Sequence, residues 1–248
     1  MATSGSYDFT LNRDQIVTRA LQLLQVLPGG TSATGDQLTD AVTQLNLILK
    51  AFQNEGMNLW AIQKKTFDNG DGLTAGVYSY TIGTSGTIAT SGRPEDIVDM
   101  YYQDATTLAK VPMIKLTRQE YYALPDEDQS GTPTQYYFDK LLSPKIYVWP
   151  APDTNFQDNY QFVILYQQAF DDMDSATDTL AFPQSWELSI VWQLASQLST
   201  EYGLPIQERQ WITSQAEKYK AIAMSWDTEH ESVYFQPNPV KTGYRIGR

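Results

Sequence analysis

Residues 186–203 read WELSIVWQLASQLSTEYG, and the period of that stretch decides the fold. Trp186, Ile190, Leu194 and Leu198 stand four apart, with Leu188, Val191, Ala195 and Tyr202 completing the apolar face. This is the rhythm of an α-helix, not the alternation of a strand. Gly203 and Pro205 break it. A last helix follows over about residues 206–227, with Ile212, Ala216, Tyr219, Ala223 and Trp226 as its stripe, close to a heptad rhythm.

Upstream, from about residue 59 to residue 180, turn residues alternate with β-rich segments. Asp68-Asn69-Gly70-Asp71-Gly72 is a turn cluster. Tyr78, Tyr80 and Ile82 alternate with Ser79 and Thr81, as in a half-buried strand. Arg93-Pro94 opens another strand through Ile97, Val98, Met100 and Tyr101, and residues 111–116 form a further candidate. Thr117 caps one or two helical turns, with Glu120 at the capping-box position. Tyr136-Tyr137-Phe138 and Ile146-Tyr147-Val148-Trp149 read as paired strands about a turn near Ser143-Pro144, closed by Pro150 and Pro152. Residues 160–167 continue the sheet.

Further upstream the helical period returns. Residues 10–27 place Ile16, Ala20, Leu23 and Leu27 on one face, and Pro28-Gly29-Gly30 stops the run. Thr34 stands three residues before Gln37, a capping-box spacing. A second helix then carries Leu38, Ala41, Val42, Leu45, Ile48, Leu49 and Phe52, with Gly56 placed to end it. The helical pieces therefore bracket the β-rich piece. The sequence predicts an α+β fold: an antiparallel helical bundle of two N-terminal and two C-terminal helices, with an inserted β-rich domain and an extended C-terminal tail. The expected divisions are 1–58 and 181–229 for the helical halves, 59–180 for the insert and 230–248 for the tail.

Composition narrows the function. Of 248 residues only 19% are charged, 42% are apolar, and Tyr numbers 16. Uncharged polar and Tyr-rich surfaces make protein contacts without desolvating charge. The net charge of −12, with 17 well-spread Lys and Arg, argues against sequence-specific DNA binding. With no cysteine, disulfides, iron–sulfur clusters and thiol catalysis are excluded. The polar N-terminus and the lack of a long apolar run predict neither a signal peptide nor a membrane span, and assembly in a cytoplasm.

Catalytic constellations are equally sparse. The single histidine, His230, falls in the tail, where no ordered carboxylate can orient it for a triad. A metal site built on paired histidines cannot form within one chain. Asp126-Glu127-Asp128 and Asp171-Asp172-Met173-Asp174 read as solvated loops. A calcium loop starting at Asp172 fails, because Thr177 stands where Gly is needed and Pro183 where Glu is needed. Trp149 near the acidic loops could stack on a sugar, but strand aromatics are usually core. Gly29-Gly30 lacks the Lys-Ser/Thr of a phosphate loop. No catalytic residue, cofactor or metal is expected. The tail is different: Tyr234, Phe235, Lys241, Tyr244, Arg245 and Arg248 put aromatics and a basic end on an extended segment punctuated by Pro237 and Pro239. Disordered tails are poor in aromatics, so these six are candidates for docking on a partner.

The order of motifs resembles a known family. Phe52-Gln53-Asn54-Glu55-Gly56-Met57-Asn58-Leu59-Trp60 ends the first hairpin, followed by Tyr78-Ser79-Tyr80-Thr81-Ile82-Gly83 and Arg93-Pro94. Gly131-Thr132-Pro133, Tyr136-Tyr137 and Ile146-Tyr147-Val148-Trp149-Pro150-Ala151-Pro152 come next. Leu180-Ala181-Phe182-Pro183, Leu194-Ala195 and Glu201-Tyr202-Gly203 complete the series. Over roughly residues 11–227 this resembles the tail accessory factor, or head-to-tail adaptor (head completion), family of short-tailed bacteriophages. The resemblance implies a structural virion protein at the head–tail interface. It implies a homo-oligomeric ring, usually of twelve copies, beneath the portal protein, gripping it with the helical part and the tail. The far end would receive a tail nozzle or tail tube protein, and genomic DNA would pass through the channel without sequence-specific binding. Two other readings stand beside it: a virion-associated cell-wall hydrolase using carboxylates, and a connector of a long-tailed phage.

Overall fold

The computed structural model describes residues 5, 9–55 and 59–227. Gly56, His230 and the six tail candidates lie outside the described residues.

Helix α1 (Arg13–Leu23) opens on a reciprocal cap. Gln15 N–H donates to Asn12 Oδ1 at 2.9 Å, and Asn12 N–H donates to Gln15 Oε1 at 3.0 Å. The helix stops four residues before the expected Leu27. Gln25 adopts a left-handed φ of 59°, and Val26 N–H turns back to donate to Leu21 O at 3.2 Å. Helix α2 (Gly35–Asn54) begins at the expected cap, with Thr34 N–H donating to Gln37 Oε1 at 3.1 Å. It buries Ala41, Leu45, Ile48, Leu49 and Phe52, the stripe its spacing predicts.

The central region holds strands β1 (Ile62–Phe67), β2 (Ser79–Gly83), β3 (Ile88–Ala89), β4 (Pro94–Asp104), β5 (Lys110–Pro112) and β6 (Ile114–Lys115). It continues with α3 (Arg118–Tyr122), β7 (Ser130–Gly131), β8 (Gln135–Asp139), β9 (Lys145–Trp149), β10 (Ala151–Pro152), α4 (Thr154–Asn159) and β11 (Tyr160–Gln168). These make a four-stranded sheet in the order β1-β11-β4-β5, a five-stranded sheet β3-β2-β9-β8-β6, and a small β10-β7 pair. The two larger sheets share one core. Phe67, Ile97, Met100, Phe162 and Ile164 from the first meet Tyr80, Ile82, Tyr136, Ile146 and Val148 from the second. Alternation along each strand supplies those inward residues.

Three sequence expectations change here. Residues 160–167 do not continue the β8–β9 sheet; β11 sits inside the other one, between β1 and β4. The strand expected over 111–116 is two short strands in different sheets, with buried Met113 between them. Pro150 closes β9 as read, but Pro152 pairs with Gly131 in the small parallel pair.

Helices α5 (Gln184–Glu201) and α6 (Ile206–Trp226) return to the N-terminal pair. The helix α5 packs against α1, α2 and α6, which explains why Trp186, Ile190, Val191, Leu194, Ala195 and Leu198 are all buried. Gly203, with φ of 65°, follows α5 in the left-handed region that favours glycine. Two residues depart from their expected faces: Leu188 is 50% exposed and Trp226 is 80% exposed. The architecture is mixed α+β, with the terminal helices packed together and β-sheets between them in the chain.

Candidate partner-binding surfaces

The motifs that carry the family resemblance meet in space as framework. Trp60 stacks on Phe170 at 4.8 Å between ring centroids, and Phe182 lies 4.6 Å from Trp60 and 4.7 Å from Phe170. Phe182 also approaches Trp186, which meets Phe52 edge-on at 5.8 Å. Phe170 N–H donates to Gln53 Oε1 at 3.1 Å. The segment leading into the sheets and the segment leading out are thus clamped to the same helical core. Two more of the motifs meet in the five-stranded sheet, where Tyr80 pairs with Ile146 and Tyr136 with Val148, while Gly131 pairs with Pro152 in the small β10-β7 pair.

Tyrosines cover the opposite face of that sheet. Tyr137 and Tyr147 are direct cross-strand partners, stacked at 5.8 Å. Tyr121, from α3, lies 5.5 Å from the first and 5.2 Å from the second. Helix α3 is set by the expected cap, with Thr117 N–H donating to Glu120 Oε2 at 2.7 Å. Burial, followed by the Glu127 carboxylate, pushes the Tyr121 hydroxyl far above its usual range.

The acidic loops are structural. Trp149 Nε1–H donates to the Asp126 carbonyl at 2.8 Å, and Lys50 pairs with Asp172 at 2.8 Å. Asp126, Asp128, Asp171, Asp172 and Asp174 are exposed, as read from the sequence. Among the described residues no group of three acidic or histidine side chains is arranged to hold a metal. Among them, too, no helix is long and apolar enough to cross a membrane.

The surface that stands out is apolar. Trp211 (57% exposed), Ile222 and Trp226 project from α6 at intervals of 11 and 4 residues, which places them along one side of the helix. Behind them Trp192 meets Trp211 at 5.5 Å and stacks on Tyr219 at 6.0 Å. In the β8–β9 turn Leu142 is 90% exposed beside exposed Leu141. The sequence reading missed Trp211, Ile222 and Leu142 as surface candidates. A helical wheel of 206–226 carried the signal for the first two, because they fall beside the buried Ile212, Ala216 and Ala223 face.

A groove of about 930 Å³ runs between α1, α5 and α6. Its walls include Leu11, Val191, Trp192 and Tyr219, and the rim carries exposed Phe9 and Leu188. Glu187 also lines it. Burial raises the Glu187 carboxyl above its ordinary pKa, opposed by a hydrogen bond from Leu11 N–H at 3.3 Å.

No curated protein matches the sequence. The family model of the SU10 adaptor protein matches residues 11–245, which takes in both helical ends, both large sheets and most of the stretch after residue 229. The chain therefore belongs to the SU10 adaptor protein family, a family of phage head-to-tail adaptors.

Proposed function

We propose that this adaptor works as a structural ring at the neck of the virion. Copies, twelve in the expected ring, bind beneath the portal protein and extend its DNA channel, and their far end receives the tail nozzle or tail tube protein. The role is architectural rather than enzymatic, and the ring is assembled in the host cytoplasm. Genomic DNA passes without sequence-specific binding, in keeping with the net charge of −12.

The observation that carries this reading is the family match, because it runs on to residue 245 and so treats most of the tail as part of the adaptor. Tyr234, Phe235, Lys241, Tyr244, Arg245 and Arg248 are the proposed portal contacts. Aromatic and Arg anchors of this kind dominate binding energy at protein interfaces. The division into 1–58, 59–180, 181–229 and 230–248 belongs to the same proposal: a helical frame, an inserted β domain and a docking tail.

Deleting residues 233–248 tests the docking role. The truncated chain keeps its thermal unfolding midpoint within a few degrees and loses portal binding by at least about a hundredfold, the scale of two hot-spot residues. A truncated chain that binds portal with native affinity removes the tail from the interface.

A further inference from the structure

Glu187 is 4% exposed, yet only one of its carboxylate oxygens has a partner. Oε1 accepts the Leu11 N–H at 3.3 Å, while Oε2 is buried without a hydrogen bond. A buried, half-satisfied carboxylate is costly unless a cation completes it. The groove beside it is mostly apolar. Its other charged lining groups are Asp14, already paired with Arg13 at 2.9 Å, and Arg19, so the open position for a cation is at the Glu187 carboxylate. Such a groove fits an extended apolar segment that carries a basic side chain.

This chain has one. Residues 240–248 read VKTGYRIGR: Val240, Tyr244 and Ile246 are apolar, Lys241, Arg245 and Arg248 are basic, and no acid is present. The segment is within reach. Tyr219, on the groove, stands seven residues before the end of α6, about 10 Å along the helix. The twelve residues 228–239 can span up to about 40 Å when extended. Tethering also gives the segment an effective concentration of order millimolar at its own groove.

We infer that, in the chain free of partners, residues 240–248 seat in the groove between α1, α5 and α6 of the same chain, with Arg245 pairing the Glu187 carboxylate. Tyr244 and Ile246 flank that arginine and meet the apolar walls formed by Leu11, Val191 and Trp192. The guanidinium supplies the donor that Oε2 lacks. The seat does not depend on the portal reading; any partner that takes the segment must first draw it out of the groove.

The absence of cysteine makes the test clean. In the full chain, Leu188→Cys on the rim is combined with Gly247→Cys, and Thr106→Cys with Gly247→Cys serves as the remote control. Under mild oxidation the first pair forms a disulfide within one chain about tenfold faster than the control, as a tethered and seated segment requires. Adding Glu187→Gln slows the first pair about tenfold and leaves the control unchanged, the loss expected of a charge-assisted pair. Equal rates for the two pairs overturn the inference. So do disulfides between chains that rise with protein concentration, which would seat the segment in a second copy. Closure indifferent to Glu187→Gln overturns the assigned ion pair. Portal binding is measured separately: if the segment never seats but its deletion still abolishes portal binding, the groove inference falls and the proposed function stands.

Discussion

Tyr121 shows what many of the tyrosines do in this chain. Its ring is fully buried against Tyr137 and Tyr147, while its hydroxyl has no hydrogen-bond partner. The ring is held by packing, and the oxygen is a desolvated passenger. Tyr121→Phe is therefore expected to leave the unfolding midpoint unchanged or to raise stability by about 1 kcal/mol. Tyr121→Ala, which empties the same site, costs about 3–5 kcal/mol. Differential scanning calorimetry of both variants checks the pair, and a clear loss in the Phe variant would show a hidden partner for the hydroxyl. Composition read the 16 tyrosines as contact surface. Tyr80, Tyr121, Tyr136, Tyr137 and Tyr166 are instead core, and counting residues cannot separate the two uses. The exposed aromatics on α6 are tryptophans, Trp211 and Trp226.

At the scale of elements, Asp96 on β4 joins the two large sheets. It pairs with Lys115 of β6 at 2.9 Å and with Lys140, just past β8, at 3.3 Å. Burial by itself would push this carboxyl up; the two ammonium groups outweigh it and hold the pKa below the ordinary 3.8. A depressed folded-state pKa contributes stability that is present above the unfolded value and lost as pH falls through the folded one. The site is more than a third exposed, so solvent screening keeps the effect small. Asp96→Asn should lower stability by up to about 1 kcal/mol at pH 7. The difference should shrink as pH falls below the ordinary 3.8 and close once the native carboxyl is itself protonated. Thermal melts of both proteins across that range decide it; a gap that persists in acid rules out the ion pairs as its source. Element legibility followed period. Helices α2 and α5 were plain, because Leu45, Ile48, Leu49 and Phe52, or Ile190, Leu194 and Leu198, repeat along a buried stripe. Strand β1 does not stand out in the sequence, because Gln63, Lys64 and Lys65 in its middle carry little β signal; pairing with β11 supplies what the residues lack. The end of α1 was misread because Gln25 takes a conformation that its side chain does not advertise.

At the scale of the whole molecule, the order of motifs was more informative than any one of them. Trp60 and Phe182 are far apart in sequence and close in space, and the order of the motifs that hold them already pointed to the family that the match from residue 11 to residue 245 shows. Neither the groove nor the unpaired oxygen of Glu187 could be read beforehand, since both come from three helices that converge only in the fold. The surface exposes large apolar side chains in two stretches of the chain, Trp211, Ile222 and Trp226 on α6 and Leu141 and Leu142 between β8 and β9. The proposed function requires that these chains form a ring on the portal. Electron microscopy of purified portal mixed with this protein tests it most directly. The expected image shows a closed ring of density, twelvefold in the expected case, coaxial with the portal and continuous with its channel. Portal particles without added density, or copies bound singly off the axis, would contradict it.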